Sequence, residues 1–191
     1  RQRQMCIRDS LKGMRINLVE LSVSHYFLAR ALESAGMSER DVTVVNTSDA
    51  DIIAAYTTPS VQAAATWNPM LAEIVAQPGS TQVFDSSKIP GEILDMMVVN
   101  TQTLQDNPDF GKALVGAWFE ILELMQAGTP EATDALTEMA KASGTDLAGF
   151  QAQLATTKLF YTPQETLDFV TSPALPETCL LYTSPSPRDK R

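Results

Sequence analysis

The chain is poor in the residues that do covalent chemistry. Its 191 residues hold two cysteines and one histidine, and the cysteines, Cys6 and Cys179, stand near the two ends. Between them no disulfide, thiolate metal site or cysteine nucleophile can be built. The lone histidine, His25, has no second imidazole or thiolate near it in sequence with which to hold a metal. No glycine-rich phosphate loop and no nucleophile motif occurs. No apolar run approaches the roughly 20 residues that a membrane-spanning helix needs. These gaps disfavour an enzyme and imply no cofactor.

Basic residues are also scarce, 14 against 23 acidic ones, for a formal net charge of −9. The imbalance deepens once the two ends are considered. Met5-Cys6-Ile7-Arg8-Asp9-Ser10 back-translates to a DNA string whose reverse complement, read one base along, encodes Cys-Leu-Leu-Tyr-Thr. Those are the residues at Cys179 to Thr183. The ends thus resemble one DNA element read in opposite directions, the transposase adapter of sequencing libraries. Residues 1–10 and 179–191 are expected to be adapter-derived, to pack poorly and to play no part in the fold. Residues 11–178 then carry 8 basic and 21 acidic side chains, a formal net charge of −13. Such a balance argues against nucleic acid and against insertion at an anionic membrane, since phosphates demand clustered Lys and Arg. The abrupt opening at Leu11-Lys12-Gly13, just before a strand, is the expected result of losing an upstream segment, an export signal included.

What remains has strong local signals. Met14 to Val19 reads as a strand. In Ser24 to Ala35, Phe27, Leu28, Ala31, Leu32 and Ala35 recur at helical spacing, with Gly36 placed to end the helix. Val42 to Val45 reads as a buried strand. Ser48 or Asp49 opens a helix through Tyr56, and Ala63 to Thr66 is a third strand. This βαβαβ order predicts a parallel sheet with right-handed crossovers. Asn68-Pro69, Asn107-Pro108, Thr129-Pro130 and Thr162-Pro163 each pair a capping side chain with a proline at the first helical position. Thr162 and Glu165 add a capping box. After Val83-Phe84, residues 85–92 form a loop with Pro90-Gly91, and Leu94 to Val99 reads as a strand. Beyond Asn107 the pattern is helical to about Val170, with Trp118, Ile121, Leu122 and Met125 as a core stripe.

The candidate ligand groups lie where strands give way to helices, the edge at which open α/β sheets hold small molecules. Ser22, Ser24, His25 and Tyr26 follow the first strand. Free N–H groups of a helix start and serine hydroxyls make a polar site there, or Ser22 and Ser24 simply cap the helix. His25 suits a packing or hydrogen-bonding role better than a metal. Asp49 and Asp51 suit a cap. Trp67 either walls a small pocket or fills the core. Glu20 closes the first strand, and Glu92 and Asp95 flank the 88–93 segment. All three carboxylates can take amidinium or amide N–H groups in pairs.

In this order Leu11-Lys12-Gly13, Ser22-Val23-Ser24-His25-Tyr26-Phe27-Leu28-Ala29-Arg30-Ala31-Leu32, Asn46-Thr47-Ser48-Asp49-Ala50, Val61-Gln62-Ala63-Ala64-Ala65-Thr66-Trp67-Asn68-Pro69 and Asn107-Pro108-Asp109 resemble the periplasmic solute-binding proteins of nitrate, sulfonate and taurine ABC importers. The resemblance spans Leu11 to Thr178. It implies a type II periplasmic binding fold, α/β, with most of lobe two at 11–87, an interlobe crossing at 88–93, and a return strand with the C-terminal helices of lobe one at 94–178. It implies a periplasmic, non-enzymatic protein that captures a small polar solute for a permease and its ATPase. Ser22 and Trp67 are the positions that it places on the ligand. Where the family carries glycine before that serine, this chain has Leu21. The wording around Glu20 to Tyr26 and Asp85 to Glu92 most resembles the subgroup encoded beside urea carboxylase. The expected ligand is therefore urea or a guanidinium-like cation, gripped by Glu20, Glu92 and Asp95 and stacked on Trp67. The alternatives are a taurine, sulfonate or nitrate binder, a pyrimidine-precursor synthase-like enzyme and a sensor domain.

Overall fold

A computed structural model describes residues 10–173 and Leu175. The expectations for the adapter-like ends, apart from Ser10, lie outside the described residues. The chain divides between Ile93 and Leu94 into two compact units.

The first unit is built on three parallel strands, β1 (Arg15–Leu18), β2 (Thr43–Asn46) and β3 (Ala63–Ala64), in the order β2-β1-β3. Ile16 stands opposite both Val44 and Ala63. A central parallel strand is covered on both faces, and Ile16, Asn17 and Leu18 are accordingly all buried. β3 is shorter than the expected Ala63 to Thr66. The Ala65 amide donates to the Asn17 carbonyl at 2.9 Å, and no bridge continues past it.

Helix α1 (Val23–Ser34) buries Leu28, Ala31 and Leu32, with Phe27 and Ala35 packed partly buried beside them. Its end follows the sequence signal. Gly36 takes φ +68°, and the Gly36 and Met37 amides close back onto the Glu33 and Leu32 carbonyls at 2.9 Å each, the pairing that a left-handed residue after the last turn permits. Burying each of these leucines contributes about 1.5–3 kcal/mol before chain entropy is counted. Helices α2 (Asp49–Tyr56) and α3 (Met70–Val75) follow β2 and β3.

The expected cap at Asn68-Pro69 is not made. Pro69 occupies the cap position of α3 rather than the first helical one, and Asn68 bonds none of its amides. The Leu71 amide is taken by the Trp67 carbonyl at 2.8 Å instead, so backbone closes the turn.

The second unit, beginning at Leu94, is helical: α4 (Thr101–Asp106), α5 (Pro108–Gln126), α6 (Pro130–Ala142), α7 (Leu147–Leu154) and α8 (Pro163–Val170). Here the capping signals hold. Asn107, Thr129 and Thr162 accept from the amides of Phe110, Ala132 and Glu165 at 3.2–3.3 Å, each with proline at the start of its helix. Glu165 returns the bond to the Thr162 amide. The expected strand at Leu94 to Val99 is absent; residues 94–100 have no regular structure. A strand exists only through a ladder, and this run has strand composition without a neighbour to pair with among the described residues. Of the α5 stripe only Leu122 is fully buried. Trp118 and Ile121 stay 49% and 41% exposed, and with Met125 they line an apolar cavity of about 260 Å³ closed by Met139, Phe150, Leu154 and Leu159.

Candidate functional site

The strand order decides where a ligand can sit in the first unit. From β1 the chain winds to β2 on one side, then crosses back to β3 on the other. The loops after β1 and β3 thus diverge from a crevice at the carboxyl ends of those strands, the switch point at which open parallel sheets bind ligands. The β1 loop carries Glu20, Leu21 and Ser22, and the β3 loop carries Thr66 and Trp67.

The β1 loop is held by bonds at consecutive residues. The Glu20 amide donates to Asn46 Oδ1 at 2.9 Å and the Leu21 amide to His25 Nδ1 at 3.1 Å. Ser22 Oγ donates to the Val19 carbonyl at 2.6 Å and accepts from the Ser24 amide at 3.1 Å. Ser22 is therefore the N-cap of α1. Leu21 has φ +61°, the left-handed region that a leucine rarely enters.

His25 is turned inward and 8% exposed. Because Nδ1 accepts the hydrogen bond of the Leu21 amide, the ring's own N–H is the one at Nε2. Nε2 lies 3.2 Å from Glu39 Oε1, out of line for a hydrogen bond. The histidine thus braces the loop, and Ser24 is buried beside it. Glu20 is exposed at the loop. Trp67 is 38% exposed, and the neighbouring Thr66 Oγ1 is buried without a hydrogen-bond partner. At β2, Ser48 takes the cap position of α2 but bonds the Asp51 carboxylate at 2.6 Å.

Glu92 meets a guanidinium, but an internal one. Arg30 Nε and Nη2 grip its two oxygens at 2.6 and 2.9 Å, and the Tyr26 hydroxyl donates to it at 2.6 Å. Arg30 also pairs with Glu33. The Arg30 bonds, with a smaller contribution from Tyr26, hold the Glu92 carboxyl below the usual carboxylate range, and Glu92 in turn raises the Arg30 guanidinium further. Bidentate pairing of this kind uses the very geometry that a guanidinium ligand would need. Asp95 belongs to the second unit, exposed on the irregular run after Leu94.

Sequence reasoning missed three polar groups that organise the crevice. Asn17, buried in β1, donates to Thr47 Oγ1 at 2.8 Å, which donates to the Val45 carbonyl at 3.2 Å. With Asn46 these residues tie the β2 loop to the β1 loop. The available signal was a polar residue inside the run Ile16-Asn17-Leu18, since a buried amide must find partners. Among the described residues no group of three His, Cys, Asp or Glu side chains is placed to hold a metal, and no helix is long and apolar enough to cross a membrane.

Residues 7–127 match the family described as NMT1/THI5 like. The chain belongs to that family. The fold of this NMT1/THI5-like chain is similar to the alkanesulfonate-binding protein SsuA from Xanthomonas axonopodis pv. citri bound to MOPS, with a TM-score of 0.63 and 20% identity over 92% of this chain. It is also similar to the periplasmic aliphatic sulphonate binding protein SsuA from Escherichia coli, with a TM-score of 0.66 and 20% identity over 85% of this chain. The NMT1/THI5-like chain spans 61% and 53% of the lengths of those two proteins. No curated protein sequence matches it. The α/β periplasmic-binding fold expected from the sequence is thereby established.

Proposed function

We propose that the chain is part of the solute-binding component of an ABC importer, periplasmic and non-enzymatic, and that its ligand is a small organic sulfonate. The observation that carries the reading is the strand order β2-β1-β3, which sets the capped N-terminus of α1 and the partly exposed Trp67 after the carboxyl ends of neighbouring strands. The positive end of a 12-residue helix favours an anionic oxygen cluster. Trp67 offers a flat apolar wall to whatever the anion is attached to. The likeness to two sulfonate-binding proteins supports this choice over urea. Arg30 engages Glu92, one of the three carboxylates on which the urea reading stood. The two units would be parts of the two lobes, and a permease with its ATPase the partners.

A second reading keeps urea or guanidinium, favoured by Glu20, which stays exposed at the crevice. Calorimetric titration of the chain with ethanesulfonate, taurine, nitrate, urea and guanidinium separates the two. Heat on sulfonate addition, weakened about tenfold in Trp67→Ala, is the expected result. Saturable binding of urea or guanidinium alone, lost in Glu20→Gln, would overturn the sulfonate assignment.

A further inference from the structure

His25 is the only histidine of the chain, and its buried ring lies between two elements. On one edge Nδ1 accepts from the Leu21 amide at 3.1 Å, in the loop after β1. On the other, Nε2 stands 3.2 Å from Oε1 of Glu39, in the single-turn helix Glu39–Asp41 that precedes β2, yet its hydrogen finds no acceptor in line. A buried donor left unsatisfied is unfavourable, and a carboxylate beside it favours the charged form of the ring. Among the described residues Glu39 is the charged group within ion-pair reach of His25. Asp41, on the same short helix, accepts from the Ser38 amide and hydroxyl, and Arg40 is exposed. Glu20, on the loop, is exposed. Tyr26 and Arg30, on α1, are engaged with Glu92. The strands bring the uncharged Asn17, Asn46 and Thr47 to this end of the sheet.

A second proton on the ring cannot leave this arrangement as it stands. It would sit on Nδ1, the atom that takes the Leu21 hydrogen, and two donors would then face each other across 3.1 Å. The same proton makes the ring a cation opposite the Glu39 carboxylate. Leu21 is placed to respond, because its φ of +61° is kept against local preference. We infer that His25 is a proton-operated latch: neutral, it pins the left-handed turn at Leu21, and protonated, it shifts its hold to Glu39 and frees the turn. Mild acid is the signal, since histidine side chains ordinarily change charge between about pH 5 and 8. The latch goes beyond the sulfonate reading and does not depend on it, because it acts on the loop with or without a ligand.

The test is nuclear magnetic resonance of the full chain, followed from about pH 8 to pH 5. One histidine gives one set of imidazole nitrogen signals, which report the second proton directly. As that proton arrives, protection of the Leu21 amide against hydrogen exchange, relative to the unfolded chain at the same pH, should fall at least about tenfold, while Leu28 within α1 keeps its protection. Glu39→Gln should move the loss to lower pH, because the cation no longer has a carboxylate facing it. His25→Gln, whose side-chain oxygen can take the Leu21 hydrogen but not a proton, should leave Leu21 protection independent of pH. A ring that gains its second proton while Leu21 stays protected would overturn the inference. So would a ring that stays neutral until Leu28 is exposed as well, a transition unmoved in Glu39→Gln, or a loss that persists in His25→Gln.

Discussion

At φ +61° the Cβ of Leu21 crowds the neighbouring carbonyl oxygen, a conformation that costs an L-residue about 1–2 kcal/mol. Glycine avoids that clash but loses more chain entropy on folding, roughly 0.5–1 kcal/mol. Leu21→Gly should therefore raise the unfolding free energy by about 0.5–1 kcal/mol in urea titration, while the β-branched Leu21→Val should lower it. A lowered midpoint for the glycine variant would show that the turn is not held as described. His25 is the acceptor that pins this turn. His25→Ala should cost about 1–3 kcal/mol, because it strands the Leu21 amide and empties a buried position; an unchanged midpoint would mean that water replaces the ring without loss. The role of His25 as a bonded, packed residue was legible from its isolation among residues unable to share a metal. The left-handed Leu21 was not, because local preference assigns leucine to helix or strand. The contacts that force the turn come from Asn46 and His25, which composition alone does not bring together.

Helix starts were the most legible elements, since a cap and its amide lie within a few residues of each other. Asn107→Ala should destabilise the second unit by about 1 kcal/mol through the lost bond to Phe110, whereas Asn68→Ala should change stability by only a few tenths, since Asn68 caps nothing. Equal losses at the two sites, measured by urea titration, would contradict the capping assignment. The Glu92 grip on α1 was less legible, because its partners Tyr26 and Arg30 lie more than sixty residues upstream. Arg30 depresses the Glu92 carboxyl, so the folded state holds that proton less tightly than the unfolded chain. The contribution is full above the ordinary carboxylate range and disappears as pH falls through the lowered Glu92 value. Glu92→Gln should cost roughly 1–3 kcal/mol at neutral pH, and its deficit against wild type should shrink in acid. A deficit independent of pH would assign the loss to packing rather than charge.

At the scale of the molecule, the two units differ in how much apolar surface they cover. Among the described residues ten of the fourteen exposed large hydrophobics, from Met96 and Val98 to Leu167 and Val170, lie in the second unit. Leu122, Ala132, Leu136 and Ala140 are its buried apolar side chains. The sequence pattern of α5 announced a core stripe, and Trp118 and Ile121 have the right spacing for one. A stripe predicts only that a face will be buried, not what buries it, and here that face lines a half-open cavity. The same limit explains Leu94 to Val99, whose strand composition finds no ladder. Apolar surface on this scale promotes association in water. The 191-residue chain should therefore sediment faster as its concentration rises and bind a hydrophobic dye. Met96→Lys combined with Val98→Lys should weaken the association by placing like charges on the exposed run. A wild-type chain that stays monomeric at every concentration and leaves the dye dark would mean that Trp118, Ile121 and their neighbours are covered in solution.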